Sequence, residues 1–225
     1  MIKAIIFDYY KVLATKGNLD ILRKKYGSRL KKEADIKKII SEHDLGKSSK
    51  WLYQEIGKIH NISPEELENT VKNQPAIEKN KKLIDFIKND LREKYKIGLL
   101  SNMGPGAGKE ILDENDWALF DDKVHSFEVG LIKPDPAIYY LAAQRLGVEP
   151  TECVFVDDKD ENVLAAKKVG MKSIVYQNFN QFYDDLETIF AAEGKRAARA
   201  KTALFARRDE KKPLVLSHKR SAQDA

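Results

Sequence analysis

Cysteine occurs once in 225 residues, at Cys153, so no internal disulfide can form and a reducing interior is the natural compartment. Its place in the apolar run Cys153-Val154-Phe155-Val156 marks it as a small buried hydrophobe. No apolar run approaches the ~18 residues that a membrane span requires, and the first residues read as a short strand rather than a signal peptide. The expectation is a cytoplasmic protein without a membrane partner. Histidine is scarce: His43, His60, His125 and His218 stand apart without the spacing of a zinc site. A charge excess is also missing from most of the chain. The pI near 9.0 arises in residues 191–225, which hold 10 of the 40 Lys+Arg and 4 of the 35 Asp+Glu, while the first 190 residues carry 30 against 31. The folded body therefore gives no reason to expect a nucleic-acid partner.

What remains is an ordinary apolar fraction, 42%, enough for a sizeable core. Short apolar runs alternate with longer helix-patterned stretches, which indicates an α/β protein with a Rossmann-like parallel sheet and crossover helices. Strands are expected at 2–7, 96–100, 123–127, 152–156 and 172–176. Asp135-Pro136 opens a helix over Ala137–Leu146 that Gly147 stops, and Asp160 is expected to cap a helix running to Val169 before Gly170. Residues 15–80 hold no convincing strand. Leu19, Leu22, Tyr26 and Leu30 recur at helical spacing, as do Ile36, Ile39 and Ile40, and Ser63-Pro64-Glu65-Glu66 is a helix start. This stretch reads as an inserted α-helical cap over a core made of residues 1–14 and 81–190. Trp51, Tyr53 and Ile56 fit the cap's own core better than a pocket lining. Residues 191–225 form a basic Ala/Arg-rich tail, read as a continuation of the last helix and as disordered from Asp209 onward.

Four polar signals mark strand ends and one loop in a telling order. Asp8 follows the first run, Ser101-Asn102 the second and Asp157-Asp158 the fourth, with Lys133 in Gly130-Leu131-Ile132-Lys133-Pro134-Asp135-Pro136 between them. An open α/β sheet builds its site at the carboxyl ends of its strands. Phosphate esters resist attack because an anionic nucleophile must approach an anion, so a site needs cations, a metal and a positioned nucleophile. Asp8 is the candidate nucleophile. Asp157 and Asp158 are candidate Mg²⁺ ligands, hard oxygen donors of the kind that ion prefers. Ser101 suits a hydrogen bond to a phosphoryl oxygen, and Lys133 suits neutralisation of nucleophile and phosphoryl group together. The glycine-rich Gly104–Gly108 is not a P-loop, since Met103 holds its first glycine position and Glu110 its hydroxyl position.

These residues carry a resemblance. Ile6-Phe7-Asp8-Tyr9-Tyr10-Lys11-Val12-Leu13, Leu99-Leu100-Ser101-Asn102, the Lys133 segment, and Val154-Phe155-Val156-Asp157-Asp158 with Asn162, Ala165, Gly170 and Met171 resemble the four motifs of the haloacid dehalogenase-like hydrolases. The likeness is to members with a helical cap between the first two motifs and covers residues 1–190. It implies a Mg²⁺-dependent phosphatase of a small phosphorylated metabolite, acting as a monomer or homodimer through an aspartyl phosphate on Asp8. It further implies that the backbone N–H groups of Tyr9 and Tyr10, with Ser101, Asn102 and Lys133, bind phosphate. The Tyr10 carbonyl would join Asp8, Asp157 and Asp158 on the metal.

Two positions depart from that pattern. The family's phosphatases usually carry a second aspartate two residues after the nucleophile, for leaving-group protonation; this chain has Tyr10, with Lys11 where glycine is usual. General acid–base help is worth ~10²–10⁴ in rate, and tyrosine, with a reference pKa near ~10, donates protons but is a poor base. Three readings follow: a phosphatase of esters with good leaving groups, similar to the glucose-1-phosphate phosphatases that also lack this aspartate; a lapsed enzyme that binds a phosphorylated ligand or partner; or a 2-haloacid dehalogenase. That last branch replaces the acidic pair of the fourth motif with uncharged residues, whereas Asp157 and Asp158 are both present here. Lys11 is either a solvated residue at the hinge of the insert or a cation within reach of phosphate.

Overall fold

The computed structural model describes residues 1–27, 33–73, 77–108 and 111–209, with side chains as far as Gly194 except Glu33. Five strands, β1 (Ala4–Phe7), β2 (Lys96–Ser101), β3 (Asp122–His125), β4 (Cys153–Asp157) and β5 (Lys172–Val175), form one parallel sheet in the order β3-β2-β1-β4-β5. The expected α/β sheet is present. β1 and β4 are buried at every position, as a strand covered on both faces requires. Their alternation sorts the core into two layers. Ile5, Phe7, Val154 and Val156 point to one cluster; Ala4, Ile6, Cys153 and Phe155 point to the other.

The helices α1 (Asn18–Tyr26), α2 (Glu33–Asp44), α3 (Ser49–His60) and α4 (Pro64–Lys72) all lie between β1 and β2. They share an apolar cluster of their own that includes Leu22, Tyr26, Ile36, Tyr53, Ile56 and Leu67. Ser63 caps α4 by accepting from the Glu66 N–H at 3.1 Å. The chain enters and leaves this insert through adjacent segments: Thr15 N–H donates to the Glu78 carbonyl at 2.9 Å and Asn80 N–H to the Leu13 carbonyl at 2.7 Å. Leu30 lies outside the described residues.

After the insert come α5 (Lys81–Phe86) with a π-helical turn (Ile87–Leu91), then α6 (Glu114–Trp117) and α7 (Ser126–Val129). Next are α8 (Pro136–Arg145), a 3₁₀ turn (Pro150–Glu152), α9 (Asp160–Lys168) and α10 (Phe179–Asp209). Asp135 caps α8 by accepting from Ala137 N–H at 2.9 Å. Most element boundaries fall within one or two residues of expectation, and two of the differences have a visible cause. The third strand ends at His125, because Ser126 starts the helical turn α7. Its hydroxyl accepts from Met103 N–H at 3.0 Å and donates to the Asp44 carbonyl at 2.6 Å, pinning the end of α2 to the core. Asp160 is the first residue of α9 and not its cap; Lys159 holds that position without a side-chain bond, and Asp160 instead complements the helix dipole. The tail continues α10 as far as Asp209; the stretch after it, read as disordered, lies outside the described residues. No helix among the described residues is long and apolar enough to cross a membrane.

Candidate active site

The sheet register assembles the site. Phe7 is level with Leu99 on one side and Val156 on the other, so one more residue brings Asp8 level with Leu100 and Asp157. Asp8 N–H donates to the Val156 carbonyl at 2.8 Å. Lys133, 4% exposed, fills the gap above these strand ends. Its ammonium donates to Asp8 Oδ1 at 2.6 Å, Asp157 Oδ2 at 2.6 Å and the Leu100 carbonyl at 2.9 Å. Asn102 fixes the lysine's backbone reciprocally, donating to the Lys133 carbonyl at 2.9 Å and accepting from its N–H at 2.8 Å. Asp157 is fully buried and also accepts from Lys159 N–H at 2.9 Å and from the Asn162 amide at 3.0 Å.

The electrostatics are those of a crowded anionic site. Burial, opposed by Lys133 and reinforced by Asp157 and Asp158, raises Asp8 to about 7. Burial opposes charge on Lys133, but Asp157 and Asp8 outweigh it and hold the ammonium above its ordinary range. Burial and Asp157 raise Asp158. Oxygens of Asp8, Asp157 and Asp158 all lie within 4.8 Å of one another. Three carboxyl groups crowd one buried ammonium, an excess of acidic groups that a hard divalent cation would offset. The donor set therefore fits Mg²⁺.

A cleft of about 420 Å³ opens on this cluster, lined from the core by Asp8, Asn102, Lys133 and Asp158 and from the insert by residues of α1, α2 and α3. Ser101 and Asp157 are fully buried and do not line it. Ser101 Oγ has no hydrogen-bond partner within the protein, which is costly for a buried hydroxyl. Tyr9 is fully buried, donates its hydroxyl to the Gly108 carbonyl at 2.7 Å and stacks on Trp117. Its side chain is part of the core, not of the cleft. Tyr10 lines the cleft; burial, then Asp44, Asp8 and Tyr53, drive its phenol further up, so it keeps its proton and can donate a hydrogen bond but is a poor base. Lys11 adopts φ 63°, the left-handed backbone that glycine takes most easily. It is neither free in solvent nor buried: its ammonium sits 3.1 Å from Asp20 and 3.8 Å from Asp158.

Some of this had no sequence signal. Asp44 lines the cleft from the last turn of α2, with its carboxyl pushed up to about 7 by burial, against Lys159 and Lys133. No motif surrounds it. Asn162, included in the fourth motif of the family likeness, lies in the first turn of α9 and returns its amide to both Asp157 oxygens.

A sequence profile of the haloacid dehalogenase-like hydrolases matches residues 2–170. Drimenol cyclase drtB of Aspergillus calidoustus is 25% identical over 205 residues, 87% of this chain and 38% of that protein. The chloroplast flavin mononucleotide hydrolase 1 of Arabidopsis thaliana is 38% identical over 60 residues, 27% of this chain and 24% of that protein. The chain thus spans well under half the length of these curated relatives. A HAD family enzyme of Bacteroides thetaiotaomicron, solved with magnesium and inorganic phosphate, superposes with a TM-score of 0.62 at 20% identity. That match covers 79% of this chain and 95% of the other.

Proposed function

The chain belongs to the haloacid dehalogenase-like hydrolases, and on that premise we propose that it is a Mg²⁺-dependent phosphatase of a small phosphorylated metabolite. The observation that carries the reading is the placement of Lys133 Nζ 2.6 Å from both Asp8 and Asp157, with Asp158 completing a three-carboxylate cluster. A related fold holding magnesium and phosphate supports it.

Asp8 is the nucleophile. One carboxylate oxygen forms a bond to phosphorus as the bond from phosphorus to the ester oxygen breaks, and the leaving alkoxide departs with that electron pair and takes up a proton. Water then adds to the aspartyl phosphate, releasing inorganic phosphate and restoring Asp8. Lys133 orients Asp8 and offsets charge shared by nucleophile and phosphoryl group, while Asn102 holds Lys133 in place. Asp8, Asp157 and Asp158, with the Tyr10 carbonyl, would hold Mg²⁺, which would supply electrostatic stabilisation of developing negative charge. Ser101 Oγ, buried and without a hydrogen-bond partner within the protein, does not line the cleft and would reach a phosphoryl oxygen only through a side-chain rearrangement on binding. The Tyr10 hydroxyl, which lines the cleft and keeps its proton, donates a hydrogen bond to the leaving oxygen, and the departing alkoxide takes its proton from solvent. The four-helix insert serves as the cap that covers the cleft and excludes bulk water. The intact Asp157-Asp158 pair favours phosphoryl over halide displacement.

Phosphate release from 4-nitrophenyl phosphate in Mg²⁺ or EDTA, with Asp8→Asn in parallel, tests the proposal. Metal-dependent release lost in the variant is expected; no release from this activated ester would leave a ligand-binding role.

A further inference from the structure

The insert side of the cleft carries a group of apolar side chains beside polar ones. Leu19 and Leu22 of α1, Ile40 of α2, and Leu52, Tyr53 and Ile56 of α3 line it, and Met103 and Pro105 continue the surface from the loop after β2. Leu22, Tyr53 and Ile56 are also members of the insert's own core; Leu19, Ile40 and Leu52 are only partly buried. Polar side chains on the same helices are partly committed elsewhere. Asp20 pairs with Lys11 and accepts from Gly17 N–H at 3.0 Å, and His43 Nδ1 bonds the Lys47 carbonyl at 2.7 Å. Asn18, Arg23, Asp44 and Ser49 add polar groups, but each hydroxyl of a sugar ring both donates and accepts. Set against the apolar side chains, such hydroxyls would lose water without gaining partners. A hydrocarbon there instead covers apolar surface that otherwise faces water.

We propose, resting on the phosphatase reading, that the substrate is a phosphate monoester of an apolar alcohol, with its phosphate toward Asp8 and Lys133 and its hydrocarbon body against Leu19, Ile40 and Leu52. Charge complementarity fixes the phosphate end and the apolar lining fixes the other.

The test is a homologous series of alkyl phosphates, methyl to octyl, assayed with Mg²⁺ on the full chain beside glucose 6-phosphate, whose primary leaving alcohol matches theirs. Burial of each methylene is worth ~0.8 kcal/mol, so kcat/KM is expected to rise about three- to fourfold per added carbon until the cleft is filled. With seven added carbons, octyl phosphate should then exceed methyl phosphate by on the order of 1,000-fold or more if the cleft holds the whole chain, and should exceed glucose 6-phosphate. Leu52→Asn, and separately Ile40→Asn, should reduce the gain per carbon. A flat series, or a preference for the sugar phosphate, overturns the inference, and it does so without touching the phosphatase reading if 4-nitrophenyl phosphate is still turned over. If no ester is hydrolysed, the phosphatase reading falls. Calorimetry of octyl phosphate against inorganic phosphate then decides the inference: tighter octyl binding supports it, and equal binding overturns it.

Discussion

Lys133 holds Asp8 from 125 residues away, Nζ to Oδ1 at 2.6 Å, and through the same ammonium it holds Asp157. The three charges are buried, so each is tolerable only while the others are present. Lys133→Met should therefore destabilise the metal-free protein by roughly 3–5 kcal/mol in urea denaturation and lower kcat/KM by more than 100-fold. Mg²⁺ should recover part of the stability and little of the rate.

Metal addition should itself be stabilising. At 100 times its Kd, a ligand bound only by the folded state adds about 2.7 kcal/mol, roughly 5–10 °C in Tm for a domain of this size. Asp158→Asn removes an oxygen charge without disturbing Lys133, and should cut the Mg²⁺ shift to a small fraction in differential scanning fluorimetry.

The Asp44 carboxyl gives a pH signature. Burial raises it from its ordinary 3.8 to about 7, opposed by Lys159 and Lys133 and assisted by Asp8. Between those values the folded protein keeps a proton that the unfolded chain has released, so stability falls as pH rises from ~4 to ~7 and is level above. Asparagine cannot ionise. In EDTA, Asp44→Asn should match the parent near pH 4 and exceed it by roughly 1–2 kcal/mol at pH 8, a value discounted for partial exposure. A stability difference that does not change with pH would contradict this assignment.

Lys11 couples backbone and charge. Its φ of 63° costs a non-glycine residue about 1 kcal/mol, and its half-exposed pairs with Asp20 and Asp158 return about as much. Lys11→Gly should change stability by less than about 1 kcal/mol, whereas β-branched Lys11→Val should cost about 1–2 kcal/mol. Removing a cation 3.8 Å from Asp158 should also tighten Mg²⁺ binding by about two- to fivefold, measured by titration calorimetry.

The sheet and the acidic cluster were legible because both follow from local pattern. A fully buried run ending in a carboxylate marks β1–Asp8 and β4–Asp157, and parallel register then brings the two together without further information. The Asp135-Pro136 start of α8 is equally local. What escaped depends on contacts between distant segments. His125 ends its strand because Ser126 turns to bond Met103 and Asp44, and Asp44 reaches the cleft only because α2 is anchored there. Trp51, Tyr53 and Ile56 show the same limit. Helical periodicity marks Tyr53 and Ile56 as buried, but not that the buried face of α3 also lines the cleft.

The most direct measurement is borohydride trapping during turnover of 4-nitrophenyl phosphate with Mg²⁺, which reduces an aspartyl phosphate to homoserine, followed by peptide mass spectrometry. Homoserine at position 8, absent without substrate, is the expected result. Phosphate release with position 8 unmodified, or with the modification on Asp157 or Asp158, would contradict Asp8 as the nucleophile.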